Sequence, residues 1–292
     1  MSARVPAYVH RPQLRWGDMD QLGHLNNVVY VDLFQQTRAL WWMETPETAG
    51  LLGPNSGPDG PIGTVVAELQ IEWRRPIVFG QDVEVRLGTT GVGAARFWIW
   101  YEIWADGELA CLGRTLMATV ALNTGRVQRI APQVRTYLAD VASDPEPLRP
   151  LRREPMPDTF HTFMGETRWS DADAYGHINN AQYLELFQEA RIAMLVDMGG
   201  IDEVPVVAAR ADVRYRRQAT FRVEPHAIHT GICRIGTSSF DTAFTMLDDA
   251  DDPTSVVSDG WMTLVHIDAD GKPAPLAQVT SLAGAAQVLQ SP

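Results

Sequence analysis

The sequence predicts an α+β protein of two tandem domains, in each of which an antiparallel sheet wraps around one long central helix. Three observations support this prediction: an internal repeat, one long and mostly apolar helical segment in each repeat, and four segments rich in Val, Ile, Trp and Thr after each helix. The 292 residues suffice for two domains of ordinary size, each with its own hydrophobic core.

The repeat is clearest in two stretches of 24 residues, RWGDMDQLGHLNNVVYVDLFQQTR at 15–38 and RWSDADAYGHINNAQYLELFQEAR at 168–191, which share 13 identities at a constant shift of 153. A weaker similarity relates VVAELQIEWRRP at 65–76 to VAARADVRYRRQ at 207–218, now at a shift of 142. The first copy therefore holds an insertion of 11 residues, which we place in the Gly/Pro-rich segment 50–63 and predict to be a loop.

Each copy begins with a short extended segment, at 8–14 and 160–167, followed by a helix. The helices run from Asn27 to about Met43 and from Asn180 to about Met198, with apolar residues at three- and four-residue spacing. Alternation and turn residues predict antiparallel strands after each helix. The predicted strands are 65–75, 82–90, 95–105 and 109–122 in the first copy, and 206–217, 222–231, 235–247 and 255–267 in the second.

Proline-rich sequence separates the two copies and sets the predicted domain limits. The first domain covers 1–127, and a linker with one short helix near 132–142 covers 128–158. The second domain covers 159–275, and a C-terminal tail covers 276–292.

Composition excludes several function classes. A net charge of −12 argues against nucleic-acid binding, which depends on clustered Lys and Arg. Cys111 and Cys233 lie at non-equivalent positions and outside any Cys/His cluster, so neither a disulfide framework nor a structural zinc site is expected. The N-terminus lacks a signal-peptide core, and no apolar stretch approaches the ~20 residues that span a bilayer. We therefore expect a cytoplasmic protein with no membrane partner.

An acidic turn precedes the long helix in each copy. Gly23 and Gly176 allow a tight chain reversal, and the Asn pairs at 26–27 and 179–180 are predicted to supply N-cap side chains to the helix. Free N–H groups and the helix dipole make such a terminus favourable for negative charge, including the oxyanion that forms when a carbonyl is attacked. A carboxylate a few residues upstream can act there as a base or as a nucleophile.

The pattern D-x-D-x-x-G-H-[LI]-N-N-x-x-Y, followed by a long apolar helix and four strands, resembles the hotdog-fold acyl-CoA thioesterases of the 4-hydroxybenzoyl-CoA thioesterase-like group. Each copy shows this resemblance, and together the two copies make up nearly the whole chain. It implies two tandem hotdog domains paired as an intrachain pseudo-dimer, which assemble further into a homo-oligomer of the chain. It also implies hydrolysis of acyl-CoA to a free acid and CoA, without a metal or organic cofactor.

The resemblance assigns the second Asp of the motif as the catalytic carboxylate and places the thioester along the turn and helix start. The candidate catalytic residues are Asp20, Asp173, His24, His177, Asn27 and Asn180. The candidate substrate-binding residues are Asn26, Asn179, Arg74, Arg75, Arg216 and Arg217. The two arginine pairs occupy equivalent positions and are expected to meet CoA phosphates. We expect the first acid of the motif, Asp18 or Asp171, to be structural. Arg38 and Arg191, on the two long helices, are expected to pair with an acid rather than with substrate.

The second copy departs from the first beside the motif. Pro76 and the turn at 80–82 are replaced by Gln218 and by Arg-Val-Glu at 222–224, so the strand turn that supports the site is predicted to be lost. Gln21-Leu22 becomes Ala174-Tyr175, a further difference at the mouth of the site. The two sites are therefore expected to differ in substrate, or only one is expected to turn over.

The spacing of the motif residues also bears on other functions. Hotdog hydratases and dehydratases use D-x-N-P-x-H, with five residues from acid to imidazole, whereas Asp20 and His24 are four apart with no proline between them. No G-x-S-x-G nucleophile elbow occurs. A thioesterase that acts on acyl carrier protein is a close variant, and a non-catalytic acyl-CoA-binding protein is the alternative from a different class.

Overall fold

The computed structural model of the chain describes residues 5–51, 55–57, 60–173, 176–199 and 205–276. The chain divides into two compact units, Met1–Leu148 and Arg149–Pro292, and the division falls inside the range predicted as a linker. Within the described ranges, no helix is both long and apolar enough to cross a membrane. The predicted tail from 277 onward and the pair Ala174-Tyr175 lie outside the described residues.

The first unit is an antiparallel sheet with one long helix and one short helix. Its elements are β1 (Tyr8–His10), α1 (Asn27–Glu44), β2 (Asn55–Gly57), β3 (Gly60–Trp73), β4 (Val83–Thr90), β5 (Arg96–Ala105), β6 (Glu108–Ala121) and α2 (Pro132–Asp140). The strand order is β1-β4-β5-β6-β3, and β2 pairs with β3. Two 3-10 turns, Trp16–Asp18 and Pro46–Leu51, flank the long helix.

The second unit repeats this arrangement. Its elements are β7 (His161–Gly165), a 3-10 turn at Trp169–Asp171, α3 (Asn180–Asp197), β8 (Val206–Tyr215), β9 (His226–Ile235), β10 (Ser239–Leu247) and β11 (Val256–His266). The strand order β7-β9-β10-β11-β8 corresponds strand by strand to that of the first unit. The predicted unit of one strand, one long helix and four further strands is therefore confirmed in both copies.

Aromatic stacking joins each long helix to its sheet. Phe34 of α1 stacks on Tyr101 of β5 with ring centroids 4.4 Å apart, and Phe187 of α3 stacks on Phe244 of β10 at 5.1 Å. Both helix rings are buried. Beneath Phe34 lies Gly113, where an added Cβ would be only 2.3 Å from the ring. The sheet can approach the helix this closely because β6 has no side chain at that point, which confirms the predicted wrapping of a sheet around a helix.

Each long helix also carries one buried arginine, for which the sequence favoured an acidic partner. Arg38 instead donates to the hydroxyl of Tyr101 at 3.0 Å, and Arg191 donates to the thioether sulfur of Met262 at 2.9 Å. A sulfur atom is a weak acceptor for a full charge. Burial lowers the pKa of Arg191 to about 10, against a smaller opposing effect of Glu189. The expected ion pairs are therefore not the contacts that hold these two guanidinium groups.

The insertion of the first copy is only partly a loop, so that prediction was wrong in part. Its residues form the short strand β2 and the beginning of β3, in a hairpin that sets Asn55 opposite Ile62. Pro61 lacks a backbone donor, yet its carbonyl accepts the N–H of Leu122 at 2.8 Å. Backbone pairing with β6 therefore outweighs the Gly/Pro-rich composition.

The short helix α2 confirms the helix predicted near 132–142 and packs on the first unit. Val134 and Leu138 are buried. The hydroxyl of Thr89 in β4 donates to the carbonyl of Leu138 at 2.6 Å, and the N–H of Ser143 donates to the carbonyl of Thr89 at 2.9 Å. This part of the predicted linker is thus fixed to the first domain.

Candidate active site

The first acid of the motif closes a 3-10 turn in each unit. In the first unit, one carboxylate oxygen of Asp18 accepts the N–H of Arg15 at 2.7 Å, and the carbonyl of Asp18 accepts the N–H of Asn26 at 2.9 Å. Asp171 makes the same two contacts in the second unit, at 2.7 and 2.8 Å. These bonds tie the start of the motif to the residue that caps the helix, which agrees with a structural role for this acid.

The second acid of the motif is held by its own turn. Oδ1 of Asp20 accepts the N–H groups of Leu22 at 2.8 Å and His24 at 3.0 Å. The backbone N–H of Asp20 also donates to the carbonyl of His24 at 2.7 Å. Oδ2 makes no hydrogen bond to any residue that the structure describes. The half-buried carboxylate therefore has a fixed orientation and one oxygen that is available for chemistry.

The second unit builds the same turn around Asp173. Oδ1 of Asp173 accepts the N–H of His177 at 3.1 Å, and the backbone N–H of Asp173 donates to the carbonyl of His177 at 2.7 Å. The chain reverses at Gly176, whose φ of 78° matches the 74° of Gly23 in the first unit. A side chain is strained at such angles, so glycine is required at both positions.

Only one asparagine of each pair caps its helix, which corrects the prediction that both do so. Oδ1 of Asn26 accepts the N–H of Val28 at 3.0 Å, and Oδ1 of Asn179 accepts the N–H of Ala181 at 3.1 Å. Asn27 and Asn180 follow as the first helical residues. A second asparagine cannot serve as N-cap because its backbone is already helical.

The helix start retains an unused donor. The N–H of Val29 bonds to the carbonyl of Asn26 at 3.0 Å, whereas the N–H of Asn27 has no acceptor among the described residues. The N–H of Asn180 is equally placed in the second unit. The side-chain Nδ2 of Asn180 is also buried without a partner in the described part of the chain. These donors and the positive helix end can stabilise an oxyanion.

A tyrosine one turn into each helix was not among the predicted site residues. Tyr183 accepts the N–H of Ala219 at 3.1 Å, and Tyr30 bonds in the same way to the N–H of Ile77. Burial, and more weakly the nearby Asp173, raises the pKa of Tyr183 to about 12. Both tyrosines belong to the repeated pattern, so their spacing after the two Asn residues is the signal that marked them.

The strand segment beside the motif is retained in both copies, whereas, among the described residues, a backbone bond closes the turn after it only in the first, from the N–H of Gln81 to the carbonyl of Val78. The N–H of Leu25 donates to the carbonyl of Ile77 at 2.7 Å, and Ile178 makes the same bond to Ala219 at 2.8 Å. Only backbone atoms make these contacts, which explains why Gln218 can replace Pro76.

Different side chains hold the end of that segment in the two units. In the first unit, Gln81 donates to a carboxylate oxygen of Asp106 at 2.9 Å. In the second unit, Arg222 donates to the carbonyl of Pro225 at 3.1 Å and to the carboxylate of Asp248 at 3.2 Å. Unrelated side chains therefore hold the end of this segment in the two copies.

An exposed aromatic pair flanks each motif turn and was also missed. Trp16 meets Phe79 edge-to-face with ring centroids 5.5 Å apart, and Trp169 meets Phe221 in the same way at 5.6 Å. The two tryptophans are 77% and 79% exposed, which is unusual for such a large apolar side chain. Both tryptophans occupy the same position of the repeat, and this was the feature of the sequence that could have marked them.

The arginine pairs differ in their partners. Arg74 pairs with Glu72 at 2.8 Å and with Glu146 at 2.5 Å. Its neighbour Arg75 pairs with Glu108. In the second unit, Arg216 pairs with Asp259 at 2.6 Å, whereas the guanidinium of Arg217 makes no ion pair or hydrogen bond to any described residue. Across the described ranges, no hydrogen bond or ion pair links either arginine pair to the motif turn, so the structure does not bring these two sets of predicted site residues together.

Potential metal ligands and nucleophilic thiols are not gathered at the site. Within the described part of the chain, no three His, Cys, Asp or Glu side chains lie close enough to share a metal ion. Cys111 and Cys233 are both free thiols. Burial and the nearby Asp241 raise the pKa of the Cys233 thiol to about 12, which makes it a poor nucleophile at neutral pH.

The turn, the helix terminus and the tandem fold agree with a comparison against protein-family models. The model of the Thioesterase-like superfamily matches residues 14–160 and 167–283, and thus both copies. The chain belongs to the Thioesterase-like superfamily. This membership indicates thioester hydrolysis as the class of activity. No curated protein matches the chain significantly.

Solved structures show that this thioesterase-like chain has the tandem hotdog fold. A protein from Lactobacillus plantarum described as an oleoyl thioesterase aligns with a TM-score of 0.71 at 16% identity, over 89% of this chain and 96% of its own. A 12:0-ACP thioesterase from Umbellularia californica aligns at 0.68 and 16% identity, over 89% and 94%. An acyl-ACP thioesterase from Bacteroides thetaiotaomicron aligns at 0.66 and 14% identity, over 88% and 96%. At these identities the likeness concerns the fold.

Proposed function

We propose that the chain hydrolyses acyl thioesters at the motif turn of each copy, with acyl-CoA as substrate. One observation carries this proposal. Asp20 is fixed through one carboxylate oxygen, its other oxygen is unbonded among the described residues, and the same short turn leads to a helix whose first N–H is unused. In the second unit, Oδ1 of Asp173 likewise accepts the N–H of His177, and the turn leads to a helix that begins at Asn180.

The proposed chemistry follows from these groups. The carboxylate of Asp20 or Asp173 either takes a proton from a water molecule or attacks the thioester carbonyl carbon itself. The oxyanion that forms is stabilised by the N–H of Asn27 or Asn180 at the helix terminus. Collapse of the intermediate breaks the carbon–sulfur bond and releases a thiolate, which takes its proton from the protonated aspartate in the water route and from solvent in the nucleophilic route. In the nucleophilic route, water then hydrolyses the acyl-carboxylate anhydride and restores the aspartate.

The remaining candidate residues take supporting roles in this proposal. Asn26 and Asn179 position the helix start through their caps. The imidazoles of His24 and His177 are half-buried in the turn and are proposed to orient the thioester carbonyl. Of the four arginines, Arg217 is the best candidate for contact with CoA phosphates, because acidic partners already hold Arg74, Arg75 and Arg216.

An acyl group carried by acyl carrier protein is the second candidate substrate. The observation that favours it is the fold likeness to two proteins described as acyl-ACP thioesterases, each over nearly nine-tenths of this chain. CoA and carrier protein present the acyl group on the same phosphopantetheine arm, so the proposed chemistry is unchanged. As the resemblance implies, the active form is proposed to be a homo-oligomer of the chain.

Release of free thiol tests the proposal. Purified protein is incubated with short, long and aromatic acyl-CoAs and with acyl carrier protein thioesters. The double variant Asp20→Asn and Asp173→Asn should lose thiol release by at least about 100-fold, since acid–base or nucleophilic groups contribute that much or more. Asparagine keeps an oxygen that can accept the N–H bonds of the turn, so the fold should persist.

The matched control replaces two exposed carboxylates far along the sequence from the motif, Asp140→Asn and Asp270→Asn, and should retain full activity. Undiminished release in the motif double variant would refute the assigned role. If no substrate releases thiol although acyl-CoA binds, the chain is a binding protein.

A further inference from the structure

The second unit contains a cavity that none of the motif residues lines. Its volume is about 470 Å³. The lining residues are Met156, Arg216, Arg217, Ala243, Phe244, Thr245, Val256, Asp259 and Trp261. We propose that this cavity binds an organic anion with an apolar body. The cavity shares no residue with the motif turn, but it includes Arg217, so the inference rests in part on the role proposed above for that arginine.

The cavity lies on the face of the sheet that points away from α3. Phe244 stacks on Phe187 of α3, so its neighbours in β10, Ala243 and Thr245, point to the opposite face. Trp261 of β11 stands directly opposite Ala243 in the antiparallel register. Ala243, Thr245 and Trp261 thus line the cavity with side chains from the face of the sheet that α3 does not cover.

The first unit shows why there is space at this position. Tyr101 of β5 and Phe244 of β10 occupy equivalent positions, because each stacks on the ring of its long helix. The residue before each of them, Trp100 or Ala243, is therefore also equivalent, and it pairs with Arg114 in the first unit and with Trp261 in the second. The Trp100 side chain is buried and covers Gly88, where an added Cβ would be 2.4 Å from the indole. An alanine in place of this indole leaves room beside the strand.

The segment before the second domain forms one wall of the cavity. Gly231 is the counterpart of Gly88, and an added Cβ there would be 2.6 Å from Pro157. The indole N–H of Trp261 donates to the carbonyl of Glu154 at 2.6 Å. Met156 lies between these two contacts in sequence and lines the cavity. Proline and methionine therefore replace only part of the volume that the Trp100 indole fills in the first unit.

Positive charge beside the cavity exceeds the negative charge that balances it. Arg214 and Arg216 share the single carboxylate of Asp259. Arg217 has no ion pair in the described part of the chain. It does contribute to the lowered pKa of Asp252, although hydrogen bonds from Thr254 have a larger effect there.

In the first unit, both arginines of the equivalent pair, Arg74 and Arg75, have acidic partners. The N–H groups of the first arginine pair bond to the carbonyl of Ala110, and those of the second pair bond to the carbonyl of Val257, so Ala110 and Val257 are counterparts. Glu108, the partner of Arg75, lies two residues before Ala110 and therefore corresponds to Ser255. The acid that neutralises the second arginine of the pair is therefore missing only from the second copy. In a chain of net charge −12, an unneutralised guanidinium at a cavity indicates a site for a negative group.

The lining defines the chemistry of the ligand. A carboxylate or phosphate can receive charge-assisted hydrogen bonds from Arg217 and from the outer edge of Arg216. Met156, Val256 and Trp261 offer an apolar surface for the rest of the molecule. Two sources supply this chemistry: a fatty acid, with a carboxylate head, and CoA, with phosphates and a pantetheine arm.

Calorimetric titration with octanoate, CoA, inorganic phosphate and 1-octanol tests the proposal and separates the sources. We expect octanoate or CoA to bind with one Arg217-dependent site per chain, and to bind better than phosphate, which lacks the apolar body, or octanol, which lacks the charge. Arg217→Gln should weaken that binding at least tenfold, about 1.4 kcal/mol, as expected for a lost charge-assisted hydrogen bond. Arg75→Gln, the matched change in the neutralised first copy, should leave it unchanged.

Two further variants keep the test decisive. Thr245→Trp fills the cavity without changing its charge and should also abolish the site. Asp20→Asn with Asp173→Asn should leave it intact, so loss of catalysis and loss of this site are separable. Equal binding by Arg217→Gln and the parent chain, or two equivalent sites that respond alike to Arg75→Gln and Arg217→Gln, would overturn the proposal.

Discussion

The two copies of the hotdog unit agree at the motif turn and differ on the sheet face that points away from the helix. Around the turn, the capping bonds of Asn26 and Asn179 differ in length by only 0.1 Å, 3.0 against 3.1 Å. On the outer face, an indole in the first copy corresponds to the small side chain of Ala243 in the second. The turn and the helix start are thus alike in the two copies, whereas the outer face of the sheet has diverged.

The largest expected effect concerns whether both turns are active. Asp20→Asn and Asp173→Asn, made singly, should each remove the turnover of one copy, because each carboxylate is held in the same orientation. Each single variant should retain roughly half of the activity, and only the double variant should lose about 100-fold or more. Steady-state thiol release with one acyl-CoA measures this. If one single variant matches the double variant, only that copy turns over.

A second comparison concerns the buried arginines of the two central helices. Arg191→Met should stabilise the second unit by about 1 kcal/mol or more, because it removes a buried charge whose acceptor is a sulfur atom. The pKa of Arg191 is lowered to about 10, so the folded state disfavours its charged form at every pH below that value. Arg38→Met should instead destabilise the first unit by about 1 kcal/mol, since it removes a hydrogen bond to the buried Tyr101.

Urea unfolding of both arginine variants and of the parent at pH 7 gives these free energies. Thiol release by the same proteins shows that the site is intact. A loss of stability in Arg191→Met equal to that in Arg38→Met would show that the sulfur contact compensates the buried charge fully.

The smallest expected effect is a dependence of stability on pH in the second unit. His226 is fully buried, and burial, followed by the charge of Arg222, lowers its pKa below the ordinary value of 6.5. Unfolding therefore allows His226 to bind a proton that the folded state resists, and stability is lost as the pH falls from 6.5 towards the lower folded pKa. His226→Leu should reduce this loss.

The matched control is His10→Leu in the first unit, where burial lowers the pKa of a less buried imidazole and Glu44 opposes the shift. Melting temperatures at pH 7.5 and 5.5 measure both effects. The difference between the two temperatures should shrink by a few degrees more in His226→Leu than in His10→Leu. An unchanged difference in His226→Leu would contradict the assignment.

Local signals explain what the sequence could predict. The observed helix at Asn27–Glu44 lies within a residue of the predicted limits, because the cap and the apolar spacing are both encoded within a few residues. The turn around Asp20 was predictable for the same reason, since its hydrogen bonds join residues at most four apart. The repeat doubled the weight of each of these signals.

Contacts between distant residues explain what was missed. The partner of Arg191 is Met262, and the buried position of α2 depends on Thr89, both far away in sequence. The divergent outer face was also hidden, because Trp100 and Ala243 become counterparts only when the strand register is known. Nothing in the composition around 50–63 indicated that backbone pairing would extend β3 into that segment.

Duplication within one polypeptide has a consequence for how such a protein can evolve. When two identical subunits associate, any replacement appears on both of them, and a gain in one place is tied to its cost in the other. Here each half has its own codons, so position 100 can hold an indole while position 243 holds an alanine. Fusion of the two copies thus separates the inheritance of one half from that of the other, and it permits one half to acquire a ligand that the other does not bind.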